Sequence, residues 1–307
     1  MIMNAKLPFL VAVVLCACIV ADAQYKSDLE RANLRGPVKS VREISDISGP
    51  KSGKGDFVEY DQLGNEVRRE IVSDFGEPMG TLIREVKPPG LTYKVESYSP
   101  EGVRTSQTNY VYVDGKLVNI QNFDVVPRLF RDLTAFSYDG SGKLIKESYM
   151  IGQENLFQAN TIYTNDAQGR PIEMAFFTIN GQKMAATIGP CLGAHKVVMT
   201  YDGSGRPITK TAYEVDGSEK KKWTYSYDGN GNIREMNIKS PNSLTRISYK
   251  YEYDANGNWV TLTTETADDS LKTMIEATGQ KVTESQLAEM KKAATRKAVT
   301  RREISYY

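Results

Sequence analysis

Tyr225-Ser226-Tyr227-Asp228-Gly229-Asn230-Gly231-Asn232-Ile233 is followed 26 residues later by Tyr251-Glu252-Tyr253-Asp254-Ala255-Asn256-Gly257-Asn258-Trp259. The two stretches share one physical plan. Ahead of the Tyr-Asp step, aromatic residues occupy every second position (Tyr249, Tyr251 and Tyr253 in the later copy), which sends them to one face of an extended chain. Asp at the head of the turn can accept backbone N–H groups, and Gly three residues on takes φ > 0 without a Cβ clash. The pattern predicts a strand, a type I turn with a glycine bulge, and an antiparallel return strand.

Working outward, the same signature stands at Tyr60-Asp61-Gln62-Leu63-Gly64, Tyr138-Asp139-Gly140-Ser141-Gly142 and Tyr201-Asp202-Gly203-Ser204-Gly205. Asp61, Gly64, Asp139, Gly142, Asp202, Gly205, Asp228, Gly231, Asp254 and Gly257 are read as structural turn residues. Degenerate copies occupy Tyr98 to Gly102, Tyr112 to Gly115 and Asn165 to Gly169. Positions 112, 138, 165, 201, 227 and 253 step by 26, 27, 36, 26 and 26, so one unit recurs with about ten residues inserted near Ala185 to Ala194. An apolar residue follows each turn at Val67, Ile145, Ile172, Ile208 and Val260; Arg234 breaks the pattern and predicts a slip or bulge there. Two strands per unit over eight units gives around 16 strands, and an open twisted sheet rarely passes about ten without curling or splitting. The expected fold is all-β: a long antiparallel β-meander of repeated hairpins curling into a trough or tube, with the Tyr ladder on one face.

These residues resemble the YD repeats of Rhs and teneurin-like proteins, whose pattern is Tyr-x-Tyr-Asp-x-x-Gly-Arg/Asn followed by an apolar residue. The resemblance covers about residues 36–265 and is most specific in the last three full copies. It implies arrays of hairpins that spiral into a shell around a toxic C-terminal domain. This chain has no recognisable core-defining protease motif and no separate C-terminal effector, so it looks more like a small exported bacterial member of that family.

The ends read differently. Lys6, the apolar run Leu7 to Val20 and Ala21-Asp22-Ala23 form a signal peptide over 1–23, with Gln24 as the expected mature start. The run of about 14 residues falls short of the ~20 needed to span a bilayer. Leu15-Cys16-Ala17-Cys18 offers an alternative, lipid anchoring at Cys18, against which Cys16 and the apolar Ile19-Val20 stand. The remainder, 24–307, is read as a single β-domain: repeats over about 36–265, a helical insertion over about 268–297 and a final strand over 299–307. Ser27-Asp28-Leu29-Glu30 is a capping box for a short helix running to about Leu34, and Val38 to Ile47 reads as the first strand. Thr283-Glu284-Ser285-Gln286 is a second capping box, with Leu287, Met290 and Ala294 at helical spacing after it.

Little here points to chemistry. Lys plus Arg is 39 against 38 Asp plus Glu, so no global field gathers nucleic acid or an anionic membrane. A single His excludes His-based metal centres. Asp228 to Asn232 begins like a calcium loop, but Ile233 and Lys239 stand at its sixth and twelfth positions. No Gly-rich turn ends in Gly-Lys-Ser/Thr, and Cys191 with His195 lies in a loop that reads as structural. No catalytic, cofactor-binding or metal residue is assigned, and no cofactor. Tyr225, Tyr227, Tyr249, Tyr251, Tyr253 and Trp259 form a candidate ligand-stacking surface, with Trp223 a further aromatic in that row; the ladder is otherwise read as core. The expected function is a non-catalytic exported β-repeat protein, a binding or structural module at the cell envelope, periplasmic, outer-membrane associated or secreted. Its expected partner is a glycan, an envelope polymer or a protein, with no nucleic acid and no transmembrane span. The alternatives are a carboxylate-based carbohydrate- or peptide-active enzyme and an accessory or remnant of a toxin-encapsulating shell.

Overall fold

A computed structural model describes residues 27–45, 55–73, 77–88, 90–125, 129–152, 157–186, 191–241, 243–268, 283–286, 289–290 and 295–307. The segment read as a signal peptide, with Cys16 and Cys18, lies outside them. After helix α1 (Asp28–Arg31) come strands β1 (Val38–Ser45), β2 (Phe57–Tyr60), β3 (Glu66–Val72), β4 (Pro78–Lys87), β5 (Leu91–Tyr98) and β6 (Arg104–Val113). Then follow β7 (Lys116–Asp124), β8 (Leu129–Tyr138), β9 (Leu144–Ile151), β10 (Phe157–Asn165), β11 (Pro171–Thr178) and β12 (Lys196–Tyr201). The last six are β13 (Pro207–Tyr213), β14 (Glu219–Tyr227), β15 (Ile233–Ser240), β16 (Ser243–Tyr253), β17 (Trp259–Asp268) and β18 (Arg296–Tyr306).

The expectation of an open sheet curled into a trough or tube is corrected. Each strand pairs antiparallel with the next, and β18 also pairs with β1, from Val38 opposite Tyr306 to Ser45 opposite Thr300. The described residues form a closed barrel of 18 strands. Closure has a local cause. Val38, Val41, Val58 and Tyr60 bury against Ile304, Tyr306, Leu29 of α1 and Leu34 just beyond it. Separating β1 from β18 would expose that cluster and leave two unpaired edges, which closure removes.

The ends are also adjusted. The capping box at Ser27 and Glu30 is formed, but α1 stops at Arg31, with Asn33 at φ 53° turning the chain toward β1. At the second box, Thr283 and Gln286 exchange both capping hydrogen bonds. Most of the helix expected beyond it lies outside the described residues. The last strand starts at Arg296, inside the range expected to be helical, because Arg296 and Lys297 already pair with Thr266 and Glu265 of β17.

A register shift stands at every copy of the turn, opposite Tyr60, Tyr138, Asn165, Tyr201, Tyr227 and Tyr253. The bulge expected at Arg234 is therefore a property of the unit and not of that position. It rotates the residue after the turn inward and sends the next one out, which is why Leu144 is buried while Ile145 is exposed.

The two faces of the wall differ. On β16, Tyr249, Tyr251 and Tyr253 are half-buried while Arg246, Lys250 and Glu252 are exposed; on β18, Arg302, Ile304 and Tyr306 are half-buried while Arg301, Glu303 and Ser305 are exposed. The Tyr ladder thus lines the concave, inner face. The outer face carries Lys222, Glu235, Asn237, Lys239, Lys250 and Glu252 at alternate positions. A barrel of this strand number encloses more space than wall side chains fill. Part of it is packed by the segment between β11 and β12, whose Ala186, Cys191 and Ala194 bury against Met174, Val197, Met199 and Trp223.

Candidate functional site

The inner wall is built by the turns at one rim. In each full copy one Asp carboxylate oxygen accepts the backbone N–H groups two and four residues on, as at Asp228 from Asn230 and Asn232, both at 2.9 Å. Gly231 takes φ 88° to close that turn. The aromatic residue before the turn then reaches back to the neighbouring strand. Tyr138 donates to the Leu117 carbonyl at 2.7 Å, Tyr201 to Pro171 at 2.6 Å and Tyr227 to Pro207 at 2.6 Å; in the last copy Tyr251, two residues earlier, makes the like bond to Ile233 at 3.0 Å. In the degenerate copy, the Asn165 amide makes the same bond to Leu144 at 2.7 Å. Near the seam the acceptor becomes the preceding turn's Asp: Tyr253 donates to Asp228 at 2.5 Å, and Tyr306 donates to Asp254.

The copy at Tyr98 departs from this scheme. Its turn lies at the opposite rim, and its phenol faces outward onto Glu96 at 3.1 Å.

The candidate stacking residues are thereby placed. Tyr225, Tyr227, Tyr249, Tyr251 and Tyr253 lie on the inner faces of β14 and β16, and Trp259 opens β17 opposite Tyr253. Tyr251 joins two rings, 6.1 Å from Tyr253 and 6.1 Å from Trp259. Burial pushes the Tyr225 and Tyr251 hydroxyls up to about 12, with neighbouring phenols adding to it, so both stay protonated donors. Tyr227 and Tyr251 spend that donor on carbonyls of the wall, whereas Tyr225 and Tyr249 show no hydrogen bond among the described residues.

The indole rings behave differently from the phenols. The Arg302 guanidinium lies 3.5 Å from the Trp259 ring centre while its Nε and Nη2 donate to Glu43 at 2.8 and 2.6 Å. Trp223 has two ammonium groups over its ring, Lys210 at 5.3 Å and Lys221 at 5.1 Å. Cations thus sit where a sugar ring would stack on either indole. Sequence reasoning missed these three basic residues. Lys221 and Trp223 alternate on one strand, which was a usable signal; Lys210 and Arg302 reach the rings by cross-strand pairing that no local pattern announces.

Inner-face acids are mostly engaged. Glu66 holds Arg69 at 2.7 Å and Arg84 at 3.1 Å, and Asp132 holds Arg131 at 2.9 Å and the Asn122 amide at 2.5 Å. Glu147 differs: burial raises its carboxyl above the usual range, and the Tyr163 hydroxyl partly offsets that. His195 Nδ1 lies 3.0 Å from the Phe176 carbonyl and 3.2 Å from that of Met184, and its ring meets Phe177 edge-on, so it pins the segment before β12. Among the described residues no cluster of His, Cys, Asp and Glu has metal-holding geometry, and no helix is long and apolar enough to cross a membrane.

No family model matches the chain, and no curated protein matches it. Among solved structures it is similar to a porin-like protein from Bacteroides uniformis at 10% identity and TM-score 0.41, covering 88% of this chain and 98% of that one. A porin-like protein from Bacteroides vulgatus gives 11% identity and TM-score 0.29 over 88% and 98%. The Photorhabdus luminescens Tc holotoxin pore gives 11% identity and TM-score 0.30, over 74% of this chain and 16% of that one. At these values the functional reading rests on the chain's own geometry.

Proposed function

We propose that this protein is an exported, non-catalytic binding module of the cell envelope whose aromatic inner wall holds a glycan or another envelope polymer. One observation carries the reading: Tyr225 and Tyr249 present hydroxyls on the inner face that make no hydrogen bond within the described wall, beside phenols that do. Such groups are donors and acceptors for a hydroxyl-rich ligand. The closed sheet supports the choice of a polymer read by side chains, because its described strands leave no free edge for an added peptide strand. The engagement of Glu66, Glu43 and Asp132 by arginines supports a non-catalytic role, since glycosidic cleavage uses a pair of carboxyls facing the scissile bond.

The outer wall supports export into water rather than insertion in lipid. A membrane barrel turns an apolar band outward, whereas Lys239, Lys250 and Glu252 point outward here. We read the Tyr-Asp turns as those of a short YD-repeat protein in which closure replaces the long spiral.

The test is retention of the 24–307 chain on immobilised glycans and envelope polymers, with product analysis of the bound material. Retention of intact polymer, weakened by Tyr225→Phe and Tyr249→Phe together, is expected. Cleaved product would replace this reading with the carboxylate enzyme, centred on Glu147; absence of retention on every polymer would end it.

A further inference from the structure

The inner-wall basic residues fall into two groups. Arg69, Arg84 and Arg302 are neutralised by Glu66 and Glu43. Lys210 and Lys221 show no acidic partner among the described residues, although Lys220 beside them holds Glu214 at 2.7 Å. Strand register fixes where they stand. Lys210 pairs directly with Trp223, and Lys221 pairs with the buried Ala212, so both ammonium groups share the inner face with one 9%-exposed indole. The ring attracts each cation by its quadrupole but cannot neutralise it. Two like charges held over one ring repel, and an anion between them relieves that repulsion.

The surroundings narrow the anion. Tyr225 follows Trp223 on the same face and leaves its hydroxyl without a partner in the wall, with Met236 opposite it. Anion-binding ammoniums, an idle phenol and a barrel wall without a free edge suit an acidic sugar chain better than an acidic peptide, which would look for backbone partners as well.

We infer that Lys210 and Lys221, held over Trp223 on the inner wall, bind the anionic groups of an acidic polysaccharide. This rests on the polymer-binding reading above and gives that polymer a charge.

The experiment uses the 24–307 chain and its tryptophan emission, because the sequence has two Trp, at 223 and 259. The probes are tetragalacturonate, neutral galactotetraose and hexaglutamate. Tetragalacturonate should shift the emission and bind at least tenfold more tightly than galactotetraose, with affinity falling as salt rises. Lys210→Gln with Lys221→Gln should cost at least tenfold in tetragalacturonate affinity. Lys222→Gln, on the outer face of the same strand, should bind like the parent and shows that the strand tolerates loss of one Lys. Equal binding by the parent and the Lys210/Lys221 variant, or failure of tetragalacturonate to bind, overturns the inference. Galactotetraose binding as tightly also overturns it while leaving the polymer reading intact. Hexaglutamate binding as tightly as tetragalacturonate replaces the sugar with an acidic peptide.

Discussion

Tyr253 donates its phenol to Asp228 Oδ2 at 2.5 Å and accepts the Asn232 amide at 2.9 Å, joining two consecutive repeats at one rim of the barrel. The turns at Asp228 and Asp254 thus carry their own backbone hydrogen bonds and are also held by a phenol from farther along the chain, Tyr253 and Tyr306.

Tyr253→Phe removes that tie and leaves the ring in place. The pair is only part-buried, so solvent screening trims its worth, and a loss of about 1 kcal/mol is expected in urea unfolding. An unchanged midpoint would show the tie to be idle.

The same rim sets an acid limit. Burial alone would raise the carboxyls of Asp228 and Asp254, but hydrogen bonds outweigh it, from Tyr253, Asn232 and Asn230 at the first and from Tyr306, Asn258 and Asn256 at the second. Both carboxyls therefore sit below their ordinary range in the folded chain. A depressed folded value contributes stability above the unfolded value of about 4, and that stability is lost as pH falls through the folded one. Melting temperature should be level near neutrality and drop below about pH 4; a rise on acidification would contradict the assignment.

Gly231→Val tests backbone strain with little steric confusion, because the nearest atom to an added Cβ is Arg206 Nη1 at 4.0 Å. At φ 88° a β-branched residue should cost about 1–3 kcal/mol. Calorimetry that finds the parent melting temperature would refute the turn geometry.

Deleting residues 296–307 strips β18 from the seam, exposing β1 and β17 along their lengths and uncovering Val38 and Val41. The shortened chain should lose its cooperative transition and associate on a sizing column. A monomer with the parent's melting curve would show the barrel closing by another route.

Cys191 is the one thiol in the 24–307 chain and is 5% exposed in the segment before β12, where it packs on the wall. A thiol reagent should modify it orders of magnitude more slowly than it modifies the urea-unfolded chain, at a rate tracking local opening. Immediate labelling would mean that this segment does not pack on the wall.

The outer face also makes a prediction. With Lys222, Lys239, Lys250 and Glu252 turned outward, the 24–307 chain should stay in the aqueous phase of a detergent phase separation. Transfer to the detergent phase would reverse the orientation of the two faces.

What was legible in the sequence is what short-range chemistry controls. An Asp that accepts N–H groups within four residues, a Gly at φ > 0 and alternation such as Tyr249, Tyr251 and Tyr253 all act inside one hairpin. Closure acts between Val38 and Tyr306, near the two chain ends, and no local pattern tells a strand awaiting a distant partner from an edge that stays open. The bulge was readable only where it disturbed the apolar pattern, at Arg234, although its cause lies in the turn shared by all copies. The ladder of candidate stacking residues could be written down in advance; the cations over both indoles could not, because Lys210 and Arg302 approach their rings from other strands.

Because β18 returns to β1, the circumference is set by a whole number of hairpins, nine among the 18 described strands. Bore width is then a stepped quantity. Duplicating one 26-residue unit would add two staves to the cask and widen it by a fixed increment, while deleting one would narrow it.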